Sequence, residues 1–102
     1  MKRLFLSICF LLFANYLLAQ QIDYTYTESG GEAKVTGLAN DNVTHLVIHD
    51  VVPGTTTPIT EIADWAFITE SIDTVTIGRN VEKIGNSAFN WCENLEIVTF
   101  LG

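Results

Sequence analysis

The sequence predicts an α+β repeat protein, a solenoid in which each coil contributes one short strand and one helical turn. One set of apolar residues recurs at a nearly constant interval, and the residues after each copy alternate apolar and polar side chains. A further alternating stretch precedes the first copy and predicts an N-terminal β-ribbon that caps the solenoid.

The first 19 residues have the pattern of a secretory signal peptide. Lys2 and Arg3 precede an apolar run from Leu4 to Leu18, and Ala19 is a small residue suited to signal peptidase. As a helix this run would span about 22 Å, which is short of the ~30 Å hydrocarbon core of a membrane. A cleaved signal is therefore favoured over an uncleaved membrane anchor, and we expect a secreted or cell-surface protein.

The composition excludes several classes of function. The 102 residues are 48% hydrophobic, and 12 Asp and Glu against 5 Lys and Arg give a net charge of −7. Removing residues 1–19 leaves 83 residues with all 12 acids and three cations, so the net charge becomes −9. So few scattered cations form no patch for phosphates, which argues against binding to nucleic acid or to anionic membranes. Only Cys92 remains after export, so no internal disulfide can form.

Residues 20–41 are predicted to form the N-terminal β-ribbon cap. Ile22–Thr27 alternates, Gly30 and Gly31 supply a turn, and Ala33–Thr36 returns. The predicted organisation is therefore a signal peptide over 1–19, the cap over 20–41, and leucine-rich repeats over 42–102, with two copies after a leading strand.

The repeat consists of an Ile, three other residues and an Ala-Phe pair, which begins at Ile62 and again 22 residues later at Ile84. A short apolar ladder follows each Ala-Phe. A period of 20–29 residues with one strand per copy is the signature of a leucine-rich solenoid, whose coils bury their apolar edges on one another. The predicted repeat core comprises Leu46, Ile48, Ile62, Ala66, Phe67, Ile72, Val75, Ile77, Ile84, Ala88, Phe89, Cys92, Leu95, Val98 and Phe100.

Each coil is predicted to hold a strand on one side and a helical turn on the other. Val75–Ile77 and Val98–Phe100 alternate as half-buried strands do, and Leu46–Ile48 is the leading strand. Glu61–Phe67 and Glu82–Phe89 place apolar residues at i, i+4 and i+5, which favours a short helix or helical turn.

The second copy, Ile84–Phe100, resembles a repeat of the BspA-like leucine-rich repeat family of secreted and surface proteins. The resemblance covers roughly residues 24–102. The first copy departs from the family pattern at Ala63, where glycine is usual, and it lacks the cysteine. The resemblance implies a solenoid that serves as a binding or adhesion surface and not as an enzyme, since some members attach to host matrix proteins or to other cells.

The outward residues of the strands form the candidate binding face. Aligned ladders place them in rows, and uncharged threonines with a few apolar side chains suit contact with a protein, although strand propensity alone predicts the same composition. The candidate residues are His45, Val47, His49, Thr74, Thr76, Ile97 and Thr99.

No catalytic, cofactor or metal site is predicted. His45 and His49 are the only histidines, and on a strand they would lie about 13 Å apart, too far for one metal ion. No nucleophile elbow, HExxH motif or phosphate-binding glycine loop occurs in the sequence. Cys92 is expected to pack within the coil, and a reactive thiol or an intermolecular disulfide is the alternative. Trp65 and Trp91 are expected to pack beneath the loops, and partly exposed anchors for a partner are the alternative. A secreted hydrolase with an unrecognised site is the remaining enzymatic alternative.

The sequence ends directly after a strand, which would leave Val98 and Phe100 beside an open stacking face. We expect a non-catalytic exported protein that acts in protein–protein interaction or cell-surface adhesion, with self-association through this open coil. The alternative is a truncated N-terminal fragment of a longer repeat protein, with no function of its own.

Overall fold

A computed structural model describes residues 22–102, and the signal-peptide prediction for residues 1–19 lies outside them. The described residues form seven short strands in two sheets. In chain order the strands are β1 (Tyr24–Ser29), β2 (Glu32–Leu38), β3 (His45–Ile48), β4 (Ile59–Ile62), β5 (Thr74–Ile77), β6 (Lys83–Ile84) and β7 (Ile97–Phe100).

The four-stranded sheet has the order β1-β2-β4-β6 and begins with a hairpin. β1 and β2 run antiparallel and are joined at Gly30 and Gly31, whose φ values of 60° and 78° suit residues without a Cβ. β2 then pairs in parallel with β4, and β4 in parallel with β6. The hairpin therefore extends a sheet whose other strands come from successive coils.

The three-stranded sheet consists of β3, β5 and β7, all parallel and in continuous register. Leu46 lies opposite Val75, which lies opposite Val98. Each coil thus contributes one strand to each sheet: β4 and β5 belong to the first copy of the repeat, β6 and β7 to the second. This coil-on-coil arrangement is that of a leucine-rich solenoid.

The predicted helical turns are wrong. No helix occurs within residues 22–102, so the described chain is an all-β solenoid and not an α+β one. Within the segments Glu61–Phe67 and Glu82–Phe89, residues 61–62 lie in β4 and residues 83–84 lie in β6. Consecutive turns follow over residues 64–69 and 86–91, which we name the turn segments.

Backbone conformation explains why these segments are not helical. Trp65 and Thr69 in the first turn segment have positive φ, and so do Ser87 and Trp91 in the second. A right-handed helix needs negative φ at every residue, so two left-handed residues four positions apart end any helical run.

Along the first turn segment, hydrogen bonds within the coil alternate with hydrogen bonds to the next coil. The N–H of Ala66 donates to the carbonyl of Ala63 within its own coil, whereas the N–H of Phe67 donates to the carbonyl of Ala88 in the next coil at 2.7 Å. Trp65 and Thr69 also donate to the next coil. The turn segments therefore stack as the strands do.

The core lies between the two sheets and includes most of the predicted repeat residues. Phe67 is fully buried and its ring stacks on that of Phe89, with centroids 5.2 Å apart. The predicted core residues that are buried are Leu46, Ile48, Ile62, Phe67, Ile72, Val75, Ile77 and Ala88. Those that are partly buried against them are Ala66, Phe89, Cys92 and Leu95.

Three predicted core residues are not buried. Ile84, Val98 and Phe100 are 40%, 41% and 62% exposed. Each belongs to the second copy, and within the described residues no further coil stacks on that side. The counterparts of Ile84 and Val98 in the first copy, Ile62 and Val75, are buried because the second copy covers them.

Candidate interaction surfaces

The strand face is formed by the outward residues of β3, β5 and β7. The register places His45, Thr74 and Ile97 in one row and Val47, Thr76 and Thr99 in the next. Buried residues alternate with these along β3 and β5. The predicted rows are therefore formed. The outward side chains of the three strands make a continuous surface that contains no Asp, Glu, Lys or Arg.

The two histidines of the strand face are held by different partners. His45 Nδ1 lies 2.9 Å from Thr74 Oγ1, one strand away in the same row. His49 follows β3, is half-buried, and its Nδ1 lies 2.6 Å from the hydroxyl of Tyr24. The residues the structure describes contain no cluster of three His, Cys, Asp or Glu side chains that would hold a metal ion.

Tyr24 joins the hairpin to the strand face. It lies at the start of β1, it is buried, and its ring centroid is 5.7 Å from that of His49. Burial raises the pKa of Tyr24 to about 12, and the hydrogen bond with His49 opposes this rise in part. The hydrogen bond between the Tyr24 hydroxyl and His49 Nδ1 fixes the orientation of the imidazole at one edge of the face.

A shallow depression lies on the other sheet, between β1, β2 and β4. Thr27, Ser29, Glu32, Lys34 and Glu61 are among its lining residues. Its lining residues include no histidine. Lys83 Nζ lies 3.9 Å from Glu61 Oε2, so one of these carboxylates forms a surface ion pair.

Cys92 is half-buried beneath the second turn segment. Its thiol donates to the carbonyl of Phe67 in the first copy at 2.9 Å. Burial raises the pKa of the Cys92 thiol, and a reactive cysteine needs the opposite shift. The residue therefore acts as a packing element that ties one coil to the next.

The two tryptophans lie on the turn segments and not beneath the loops, contrary to expectation. Trp65 is 54% exposed and Trp91 is 66% exposed. Their φ values are 60° and 64°, a conformation that is unfavourable for a bulky side chain by about 1 kcal/mol or more. The equivalent residues in the other copy are Ser87 and Thr69, so tryptophan is not needed to form the turn.

One surface ends the stack of coils in the described residues. We name it the last-coil face: the free edges of β6 and β7 with the exposed side chains of Ile84, Val98 and Phe100. Strand edges with unpaired backbone groups and apolar side chains are templates for pairing with another chain.

A family model described as "BspA type Leucine rich repeat region (6 copies)" matches residues 51–101, half of the chain. The chain belongs to the BspA-type leucine-rich repeat family. The resemblance seen in Ile84–Phe100 is thereby confirmed. Proteins of this family are generally non-enzymatic scaffolds for protein–protein interaction.

Solved structures of similar fold agree with this membership. The BspA-type chain is similar to a leucine-rich repeat protein from Bacteroides capillosus, with a TM-score of 0.69 and 28% sequence identity over 78% of this chain. It also shares its fold with the T. pallidum leucine-rich repeat protein TpLRR, with a TM-score of 0.67 and 21% identity over 76% of this chain. The matches cover 63% and 36% of those two chains, respectively. A comparison with curated proteins gives no match.

One feature of this BspA-type chain was not found from sequence, and another was only the less favoured alternative. The partnership of Tyr24 with His49 joins residues 25 positions apart and has no local signal. The exposure of Trp65 and Trp91 has a signal in the sequence, because neither tryptophan recurs at the equivalent position of the other copy. In residues 22–102, no helix has the length and apolar character needed to cross a membrane.

Proposed function

We propose that this BspA-type chain is an exported, non-catalytic protein whose strand face binds another protein or a cell-surface ligand. The observation that carries the proposal is the in-register β3-β5-β7 sheet, which holds His45, Val47, Thr74, Thr76, Ile97 and Thr99 in two rows. A rigid sheet presents such side chains without the loss of conformational entropy that a flexible loop incurs on binding.

The chemistry of the face favours a protein partner. The rows contain threonine, valine, isoleucine and histidine and no Asp, Glu, Lys or Arg. Depletion of charge at the centre, with charged residues around it, is typical of protein interfaces. His49 adds a fixed polar group at the edge, since Tyr24 holds its ring.

The test uses labelled chain on whole cells of its source and on surfaces coated with matrix proteins. Thr76→Arg places a long cation at the centre of the face and is expected to weaken binding about tenfold. Thr56→Arg is the matched control, because Thr56 is an exposed threonine in the loop before β4. Equal binding by both variants would contradict the proposal.

Export is part of the same proposal. Lys2, Arg3 and the apolar run to Leu18 support cleavage after residue 19 and a secreted or cell-surface location. The N-terminal sequence of the protein recovered from culture medium or cell envelope tests this. A first residue within one or two positions of Gln20 is expected, and an intact Met1 would contradict cleavage.

We further propose that residues 20–41 cap the repeats of residues 42–102. The N–H of Ala63 in the first copy donates to the carbonyl of Val35 in β2 at 2.8 Å, which supports stacking of the hairpin on that coil. Terminal coils of solenoids need such a cover, because their apolar edge would otherwise contact water.

The last-coil face supports self-association as a second binding mode. Val98 has an exposed apolar side chain, and among residues 22–102 the outer edge of β7 pairs with no strand. Both features fit the same face of a second copy. Sedimentation velocity over a range of concentrations is expected to show a larger species. Val98→Lys should abolish it, whereas Thr99→Lys, the next residue on the opposite side of β7, should not.

The alternative is that further coils of a longer protein cover this face and that the chain alone has no function. The intact mass of the protein from its source separates the two. A mass equal to that of the mature chain supports self-association. A larger mass with the same peptides supports the longer repeat protein.

A further inference from the structure

The turn segments present the two tryptophans on a surface separate from the strand face. Trp65 lies near the start of the first turn segment and Trp91 at the end of the second. The hydrogen bonds from Trp65 to Asn86 and from Thr69 to Asn90 stack the two segments. The two stacked segments therefore carry one exposed tryptophan each, at non-equivalent positions, and we name their exposed surface the turn face.

The two copies of the turn give a reason to regard these indoles as more than chance exposure. Both occupy left-handed positions where the other copy has Ser87 and Thr69, which fit the same turn without a bulky side chain. Ser87 and Thr69 are left-handed as well, so the turn sets the backbone in both copies, and what distinguishes the two tryptophan positions is a large apolar side chain that the turn does not need. Since each tryptophan is more than half exposed, its role is not explained by packing.

The charge around the indoles is negative. Asp64 precedes Trp65 and Glu93 follows Trp91 by two residues, and both carboxylates are exposed. Among residues 22–102 the only Lys and Arg are Lys34, Arg79 and Lys83, and none lies in a turn segment. Arg79 is held elsewhere, 3.7 Å from Asp50.

We propose that the turn face binds an arginine-rich segment of a partner protein. Guanidinium groups stack on exposed indoles by cation–π interaction, and tryptophan is the best aromatic acceptor. The neighbouring carboxylates add electrostatic attraction and select against acidic partners. Because the turn face carries two indoles, a peptide with at least two arginines could engage both. This goes beyond the proposed role of the strand face, and neither proposal depends on the other.

Intrinsic fluorescence reads this surface directly, because Trp65 and Trp91 are the only tryptophans of the chain. The probe is a twelve-residue peptide with arginine at every third position and glycine and serine between. The comparison peptide carries glutamate in place of arginine. Saturable quenching by the arginine peptide alone is expected. Absence of a response, or an equal response to the glutamate peptide, would overturn the proposal.

Calorimetry with variants separates stacking on the indoles from simple attraction to an acidic chain. Trp65→Ser with Trp91→Thr installs the residues that the other copy already carries, so the fold and the net charge are kept. Affinity for the arginine peptide is expected to fall about tenfold. Ile97→Ser is the matched control, since Ile97 is similarly exposed but lies on the strand face.

Two results would overturn the proposal here. The first is unchanged affinity in the tryptophan variant, which would mean charge attraction alone. The second is binding of cellohexaose and not of the arginine peptide, which would make the turn face a carbohydrate site. An unchanged thermal midpoint of each variant confirms that the comparison is made on folded protein.

Discussion

Val75 and Val98 lie opposite one another on neighbouring parallel strands, yet Val75 is 1% exposed and Val98 is 41% exposed. The two side chains have the same chemistry and the same place in the repeat. What differs is the next coil, because the second copy covers Val75 and, among residues 22–102, no coil covers Val98. Burial in this fold is thus set by neighbours in the stack and not by the coil itself.

This relationship predicts unequal costs for the same substitution. Val75→Ala is expected to lower the free energy of unfolding by about 2 kcal/mol, because it removes fully buried methyl groups and leaves a cavity. Val98→Ala is expected to cost under ~1 kcal/mol. Urea denaturation of the two variants measures both values. The measurement is made at a protein concentration low enough to dissociate the proposed self-associated form, and equal losses there would contradict the exposure of Val98 in the single chain.

Gly85 is predicted to be required by the close approach of the coils. A Cβ at this position would lie 2.4 Å from the backbone nitrogen of Asp64, which cannot move away without breaking the turn segment. Gly85→Ala should therefore destabilise the fold by ~1–3 kcal/mol. Gly37→Ala is the control, since its nearest neighbour would be at an ordinary 3.4 Å. A thermal midpoint for Gly85→Ala equal to that of the control would refute this reading.

Tyr24 is predicted to make the fold sensitive to alkali. The folded chain retains the phenolic proton up to a pKa of about 12, whereas the unfolded chain releases it near 10. Stability is therefore full below about pH 10 and falls, by on the order of 2–3 kcal/mol, as the pH rises to about 12. Tyr24→Phe should remove this part of the alkaline loss, measured as urea midpoints from pH 9 to 12.

The control for that series is Tyr26→Phe, which removes a phenol from the same strand but leaves Tyr24 in place. It should retain the alkaline loss. At neutral pH, Tyr24→Phe should also cost about 1 kcal/mol, because the hydrogen bond to His49 is lost. An alkaline loss of equal size in both variants would assign the effect to other groups.

Cys92 is predicted to react slowly with alkylating reagents. Burial raises its thiol pKa, so the folded chain holds less thiolate than the unfolded chain at the same pH, and the Sγ–H donates to the carbonyl of Phe67. Modification by iodoacetamide should be slower in the native chain than in urea, with mass spectrometry used to follow the Cys92 peptide. A native rate as fast as that of the unfolded chain would show an accessible, reactive thiol.

The strands and their register could be predicted from sequence because β-structure leaves a local signal. Alternation around Val75 and Val98 places one face inward, and the 23-residue spacing then fixes which residues are neighbours. The rows of the strand face follow from these two facts together with the 29-residue spacing between Leu46 and Val75.

The helical turns could not be distinguished from stacked turns by spacing. Apolar residues at i, i+4 and i+5 face one side of a short helix. In the structure, Ile62 at the end of β4 and Ala66 and Phe67 in the first turn segment also pack into the core. The deciding feature is the left-handed backbone at Trp65 and Thr69. Neither residue type favours that conformation, so the sequence carried no signal for it.

The candidate site was predicted as a strand face, and its rows are formed. His49 at the edge of the face was among the predicted residues, but its contact with Tyr24 was not predicted. Tyr24 reaches His49 from the hairpin, a contact that depends on how the hairpin sits against the coils. Its binding role stays a prediction.

The most direct test of that role is site-specific crosslinking on the surface of living cells. The photoreactive residue p-benzoylphenylalanine is placed at position 47, on the strand face, or at position 56, in the loop before β4. A discrete protein adduct is expected from position 47 and none from position 56. No adduct from position 47, or the same adducts from both positions, would contradict a binding role for the strand face.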